Sequence, residues 1–222
     1  MVTPPLDVGK EELMEAGRRL VLAVEDTVAS GGFGGDDIAT AAEAEPRVER
    51  FKGPAEADMD DDQRRVRAAI AGTRTTGLRG PFGPWLANPA LAEPAQALGR
   101  VCRYETSLPL RESELVILLT ATSARCPTEW AIHVAEARRG GLEEEVIAAI
   151  EASQRPLPLA APRDVALAAF AAAVLDGKGR VDDATYALAK GELGEKGLVE
   201  VTSIIGYYQY VALTLNVFEI QP

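Results

Sequence analysis

Residues 111–141, RESELVILLTATSARCPTEWAIHVAEARRGG, constrain the fold more than any other stretch. An apolar run ends at Cys126-Pro127, and a second helical segment then carries Glu129, Trp130 and the sole histidine, His133. Proline is favoured in a first helical turn, so Pro127 starts a new helix with Cys126 at its cap. Cys126, Glu129 and His133 follow at spacings of three and four residues, which puts them on one helical stripe. Glu114 lies twelve residues before Cys126, on the preceding helix. Two helices meeting at this corner bring a thiol, two carboxylates and an imidazole together in apolar surroundings.

The rest of the chain reads as helices too. Ala, Leu and Glu abound and no useful strand alternation occurs, so the fold class is all-α. Residues 10–30 carry helical spacing at Leu13, Ala16, Leu20, Val21 and Val24, and the GGFGG run at 31–35 ends that helix. Further helices are expected over 60–72, from a cap at Asn88 with Pro89 first to about Arg103, over 111–125, 127–139, 143–153, 164–175, 182–190 and 194–218. The 111–125 helix should bury Leu115, Leu118, Leu119 and Thr122 on one face. The Gly-Pro-Phe-Gly-Pro-Trp run before Leu86 is expected to be irregular. The last helix carries IIGYYQYVALTLNVF, apolar on nearly all sides, and belongs in the core or in a subunit interface. The organisation is an acidic helical extension over residues 1–55 and a helical domain over 56–222.

The net charge of −11 is unevenly spread: residues 1–62 hold 16 acids and 6 bases, and the remainder is nearly balanced. With no basic stripe, nucleic acid and anionic membranes are poor partners. Two cysteines make no disulfide framework, and a cytoplasmic setting follows. One histidine and two cysteines leave little for a metal centre, and none is expected. No secretory signal is evident, and the apolar stretch from Val165 to Leu175 is too short to span a bilayer.

Each candidate residue has a plain and a chemical reading. Cys126 at a helix N-terminus near a histidine is either a buried, inert thiol or a thiolate at neutral pH. Glu129 either closes a capping box on the Cys126 N–H or exchanges protons in a pocket. His133 is either a satisfied structural residue or an acid–base group. Glu114 either pairs with Arg111 or Arg125 or orients the His133 ring and fixes its tautomer. Trp85 and Phe82 form either a core anchor or an apolar wall for a ligand, with Trp130 as a further candidate there. Tyr207, Tyr208 and Tyr210 are chiefly packing residues, and one of them, with Tyr207 preferred, places its hydroxyl toward the site. Arg103, Arg111 and Arg125 are the candidates for holding a carboxylate. Cys102 is a core cysteine.

The segment RESELVILLTATSARCPTEWAIHVAEARRGGLEEEVIAAI resembles the carboxymuconolactone decarboxylase family, which includes the alkylhydroperoxidase D-like proteins. The flanking GPFGPWLANPALA and LVEVTSIIGYYQYVALTLNVF extend the resemblance over about 60–220. It implies an alkylhydroperoxidase D-like helical bundle and a homo-oligomer, a trimer or hexamer. The family's peroxidase branch uses a Cys-x-x-Cys pair, a His four residues after the second Cys and a Glu twelve before the first. Here Cys126, His133 and Glu114 match, and Glu129 occupies the second Cys position. The resemblance therefore implies a carbon–carbon lyase without metal or organic cofactor, acting on a small carboxylated lactone or related acid. In that reading His133 and Glu129 exchange protons, Glu114 orients, and Cys126 is auxiliary. The alternatives are a single-Cys thiol-dependent peroxidase and a non-catalytic helical ligand-binding or assembly protein.

Overall fold

The computed structural model describes residues 50–73 and 78–222. The expected helix over 10–30, the GGFGG linker and nearly all of the acidic extension lie outside these residues. Among the described residues there are eight helices and no strand: α1 (Asp61–Ala71), α2 (Phe82–Trp85), α3 (Pro89–Tyr104), α4 (Leu110–Ser123), α5 (Pro127–Arg139), α6 (Glu144–Glu151), α7 (Pro162–Asp176) and α8 (Asp183–Phe218). None of these helices is long and apolar enough to cross a membrane.

Helix α4 is the axis of the bundle. It packs against α5, α6, α7 and α8, and every residue from Glu112 to Ala121 is buried. The expectation of one buried face was too narrow: Thr122 is only half-buried, whereas Glu112, Ser113, Val116 and Ile117 are enclosed. A helix covered on all sides tolerates polar side chains only when they find partners, which singles out Glu114.

Local chemistry sets the turns. The Cys126 N–H donates to Ala121 O at 3.0 Å and the Arg125 N–H to Thr122 O at 3.0 Å, with Arg125 left-handed at φ 49°. This is a Schellman closure with arginine where glycine is usual. Cys126 ends that closure and also caps α5, where Pro127 takes the first position. The connection is thereby reduced to its minimum. At the far end of α5, Gly141 takes φ 85° and the Leu142 N–H returns to Ala137 O at 2.9 Å. Capping is mixed elsewhere. Asp60 and Gln63 form a reciprocal capping box on α1, and Asp182 accepts from the Thr185 N–H on α8. Asn88 occupies the cap of α3 but makes no side-chain cap bond.

One of these expectations needs adjustment. The Gly-Pro-Phe-Gly-Pro-Trp run is not irregular throughout: Phe82–Trp85 form one helical turn, α2. Pro81 and Pro84 fall at positions whose N–H would have no intrahelical partner, so they cost no hydrogen bond. The two expected C-terminal helices are present as the two limbs of α8, which meet at a break in helical geometry at Gly194 (φ 70°, ψ 172°). Only glycine takes that geometry without strain.

The long limb of α8 buries Val201, Ile204, Tyr208, Val211 and Leu215 against the bundle. Its opposite face leaves Val199, Tyr210, Leu213 and Val217 exposed. α2 is fastened to this limb through Trp85, whose Nε1–H donates to Thr214 Oγ1 at 3.0 Å while its ring stacks on Tyr210 at 4.8 Å. Thr214→Val removes the acceptor and leaves a buried indole N–H unpaired. It should cost about 1–3 kcal/mol in urea denaturation, and a change within error would mean that the indole finds another acceptor.

Candidate functional site

The corner between α4 and α5 assembles as the spacing implies. His133 is 1% exposed, Glu129 2%, Cys126 2% and Glu114 0%. His133 sits between the two carboxylates. Its Nδ1 lies 2.7 Å from Glu114 Oε2, and its Nε2 lies 3.0 Å from Glu129 Oε1. Glu114 thus orients the ring from α4, and does not pair with Arg111, which bonds Asp164 and Glu143 instead. Glu129 does not close a capping box on Cys126, because the Cys126 N–H is already taken by Ala121 O.

Burial alone would push His133 down, since charge is costly away from water. The Glu114 and Glu129 carboxylates outweigh it and raise His133 to about 9. At neutral pH the ring is therefore an imidazolium, with Nδ1–H donating to Glu114 and Nε2–H to Glu129. Arg103 enters from α3, its Nη1 3.4 Å from His133 Nε2. With the Nε2 proton committed to Glu129, that approach is a proximity of two donors and not a hydrogen bond. Charge still balances, two carboxylates against an imidazolium and a guanidinium. Glu114 Oε1 is buried and has no hydrogen-bond partner among the described residues. The Arg103 guanidinium also lies 5.6 Å from the Tyr104 ring at the surface, so Arg103 joins solvent to the imidazole.

Of the two readings of Cys126, the buried, inert thiol fits its surroundings. Burial pushes its thiol up to about 11, against the pull of the Thr128 and Glu129 backbone N–H groups, and the Glu129 carboxylate adds to the rise. The helix N-terminus is present, but desolvation is the larger effect. Cys102 is also free, buried and raised by burial.

The aromatic candidates divide. Tyr208 faces the imidazole edge-on, with centroids 4.9 Å apart, and not Tyr207. Tyr207 touches Tyr208 at 5.3 Å and Trp85 at 6.3 Å, and Trp85 touches Phe82 at 5.8 Å. Trp85 and Phe82 therefore reach His133 only through two tyrosines and support the site without lining it. Trp130 is half-buried and packs against the core. Tyr208 was findable in the sequence: it lies on the stripe 201–204–208–211–215, whose other members are apolar. Of the three candidate arginines, Arg103 alone stands at the imidazole. Among the described residues, no group of three or more His, Cys, Asp or Glu side chains is arranged to hold a metal ion.

Residues 89–174, from α3 into α7, match the model of the carboxymuconolactone decarboxylase family. No curated protein matches the sequence. Among solved structures, the chain is similar to the alkylhydroperoxidase AhpD core of an uncharacterized peroxidase-related protein from Ralstonia eutropha JMP134. That match has a TM-score of 0.66 at 18% identity, over 81% of this chain and 94% of that one. A protein of unknown function from Agrobacterium tumefaciens, provisionally described as an antioxidant defence protein AhpD, gives a TM-score of 0.56 at 21% identity. It covers 64% of this chain and 97% of that one. At these identities the two structures establish a common fold.

Proposed function

We propose, from the match of residues 89–174 to the model of the carboxymuconolactone decarboxylase family, that this chain is a proton-transferring lyase for a small carboxylated lactone or related acid. The observation that carries this reading is the imidazolium held between Glu114 and Glu129, with a guanidinium alongside. Loss of CO2 breaks a carbon–carbon bond and leaves the electron pair as an enolate conjugated to the lactone carbonyl. The Nε2 proton, passed directly or through Glu129, is delivered to that carbon, and water returns a proton to the ring. Arg103 pairs with the substrate carboxylate on entry. Glu114 holds Nδ1–H throughout and keeps the tautomer fixed. The self-assembly implied by the family would use the exposed Leu91, Leu98 and Val101 of α3, near Arg103.

A thiol-peroxidase reading is disfavoured by the raised Cys126 thiol and by the carboxylate at position 129. The enclosure of all four site residues favours a non-catalytic reading. One set of measurements separates the three. CO2 release from a panel of carboxylated γ-lactones and β-keto acids is expected, and Cys126→Ser should retain at least about half of it, as for a group outside the chemical step. Iodoacetamide at pH 7 should label Cys126 only after unfolding. Peroxide consumption lost in Cys126→Ser would establish the thiol reading, and no turnover of either kind the non-catalytic one.

A further inference from the structure

The long limb of α8 is apolar on two faces: the bundle covers one, and on the other it engages Tyr210, through the Trp85 ring, and leaves Val199, Leu213 and Val217 exposed. The outer stripe runs through Val199, Gly206, Tyr210, Leu213 and Val217, at spacings of seven, four, three and four. Val199, Leu213 and Val217 are 66%, 63% and 53% exposed. Space is open above Gly206, so a second helix can approach closely there. No charged side chain occurs between Glu200 and Glu219. The hydroxyls of Thr202 and Ser203 are already turned back to Leu198 O and Val199 O. At the Val199 end the stripe opens into a groove of about 390 Å³ lined by Phe170, Tyr186, Leu198 and Thr202 among others. A continuous uncharged face of this length is uncommon on a surface without a partner.

We propose that this face is the docking site of the chain's own segment 10–30. The argument begins where the described chain begins. The Arg50 N–H donates to Phe218 O at 3.0 Å, and its guanidinium reaches Val217 O at 3.2 Å and Glu219 at 2.9 Å. The Phe51 ring meets Phe218 at 5.8 Å. Everything before residue 50 therefore leaves from the Val217 end of the stripe. As a helix, segment 10–30 would be about 30 Å long and the stripe from Val199 to Val217 spans about 27 Å. Residues 31–49 reach about 60 Å when extended, enough for either direction of docking. Leu13, Leu20 and Val24 repeat the seven-and-four spacing of Gly206, Leu213 and Val217. The acids and arginines Glu11, Glu12, Glu15, Arg18 and Arg19 fall off that face and stay in water. Tethering fixes the occupant. A segment joined to the same chain is present at roughly millimolar effective concentration, far above a second copy at micromolar protein.

The test uses the full chain with benzoylphenylalanine in place of Leu213. Irradiation should give an adduct of monomeric mass, joined within residues 10–30. Leu20→Glu with Val24→Glu in the same chain should lower its yield at least about tenfold, since two charges placed on the docking face must be desolvated. A dimer-mass adduct to any residue of another copy overturns the proposal, as does an adduct elsewhere within the chain or none. Hydrogen exchange on the unaltered chain gives an independent reading. Amides of 10–30 should exchange at least about tenfold slower than the same peptide alone, and equal rates overturn the assignment.

Discussion

Substituting His133 with alanine is expected to lower turnover by about 10²–10⁴ and to weaken the fold by about 3–5 kcal/mol. The two losses share one cause. The imidazolium is the only group that bonds both Glu114 and Glu129, at 2.7 and 3.0 Å, in a corner closed to water. Without it two carboxylates face each other across a void, compensated by Arg103 alone. Removing one partner of a buried ion cluster leaves uncompensated charge, which costs more than the pairing ever contributed. Urea denaturation and CO2 release measure the two effects. A Glu114→Gln, His133→Gln variant separates them, because it regains part of the stability by removing a charge and stays inactive. A His133→Ala chain that turns over normally would end the proton-transfer reading.

The second large effect is on stability against pH. His133 binds its proton more tightly folded, at about 9, than its ordinary value of 6.5. Its contribution is therefore complete below pH 6.5 and is lost as pH rises through 9. The span amounts to about 3 kcal/mol. Denaturation midpoints at pH 6 and pH 10 should show that fall in the parent chain, and His133→Gln, subject to the same titration of every other group, should show less of it by this amount. Parallel pH profiles for the two chains would mean that the ring is not held as an imidazolium in the fold.

What could be read from the sequence was what is local. Pro127 fixes a helix start by its own ring, and spacings of three and four fix a face, so the stripe of Cys126, Glu129 and His133 needed no tertiary information. The Glu114 partnership was legible as one of two options. Arg111 lies only one helical turn from Glu114 in sequence, but it is drawn off by Asp164 and Glu143 on later elements. The state of Cys126 was left between two readings because the helix terminus is visible in the sequence and the burial is not. Two backbone N–H groups are in place as expected, and desolvation overrides them. The preference for Tyr207 over Tyr208 overlooked a signal that was there: adjacent helical residues point about 100° apart, and Tyr208 is the one that shares the apolar stripe of Val201, Ile204, Val211 and Leu215. The turn at Phe82–Trp85 was hidden by its prolines, which break helices from within but are harmless in a first turn.

The corner is held by more than its own two helices. Thr128 donates to Ile220 O at 2.6 Å, and Asn216 donates to Ala124 O at 3.0 Å, each across 92 residues of sequence. Both bonds clasp the α4–α5 connection to the end of α8. Contacts so distant along the chain close late, after the entropy of a long loop has been overcome. During synthesis the helices that carry Glu114 and His133 emerge well before the strap that secures them. In the finished bundle the end of α8 closes what those two helices begin, clasping their connection and setting Tyr208 against the imidazole.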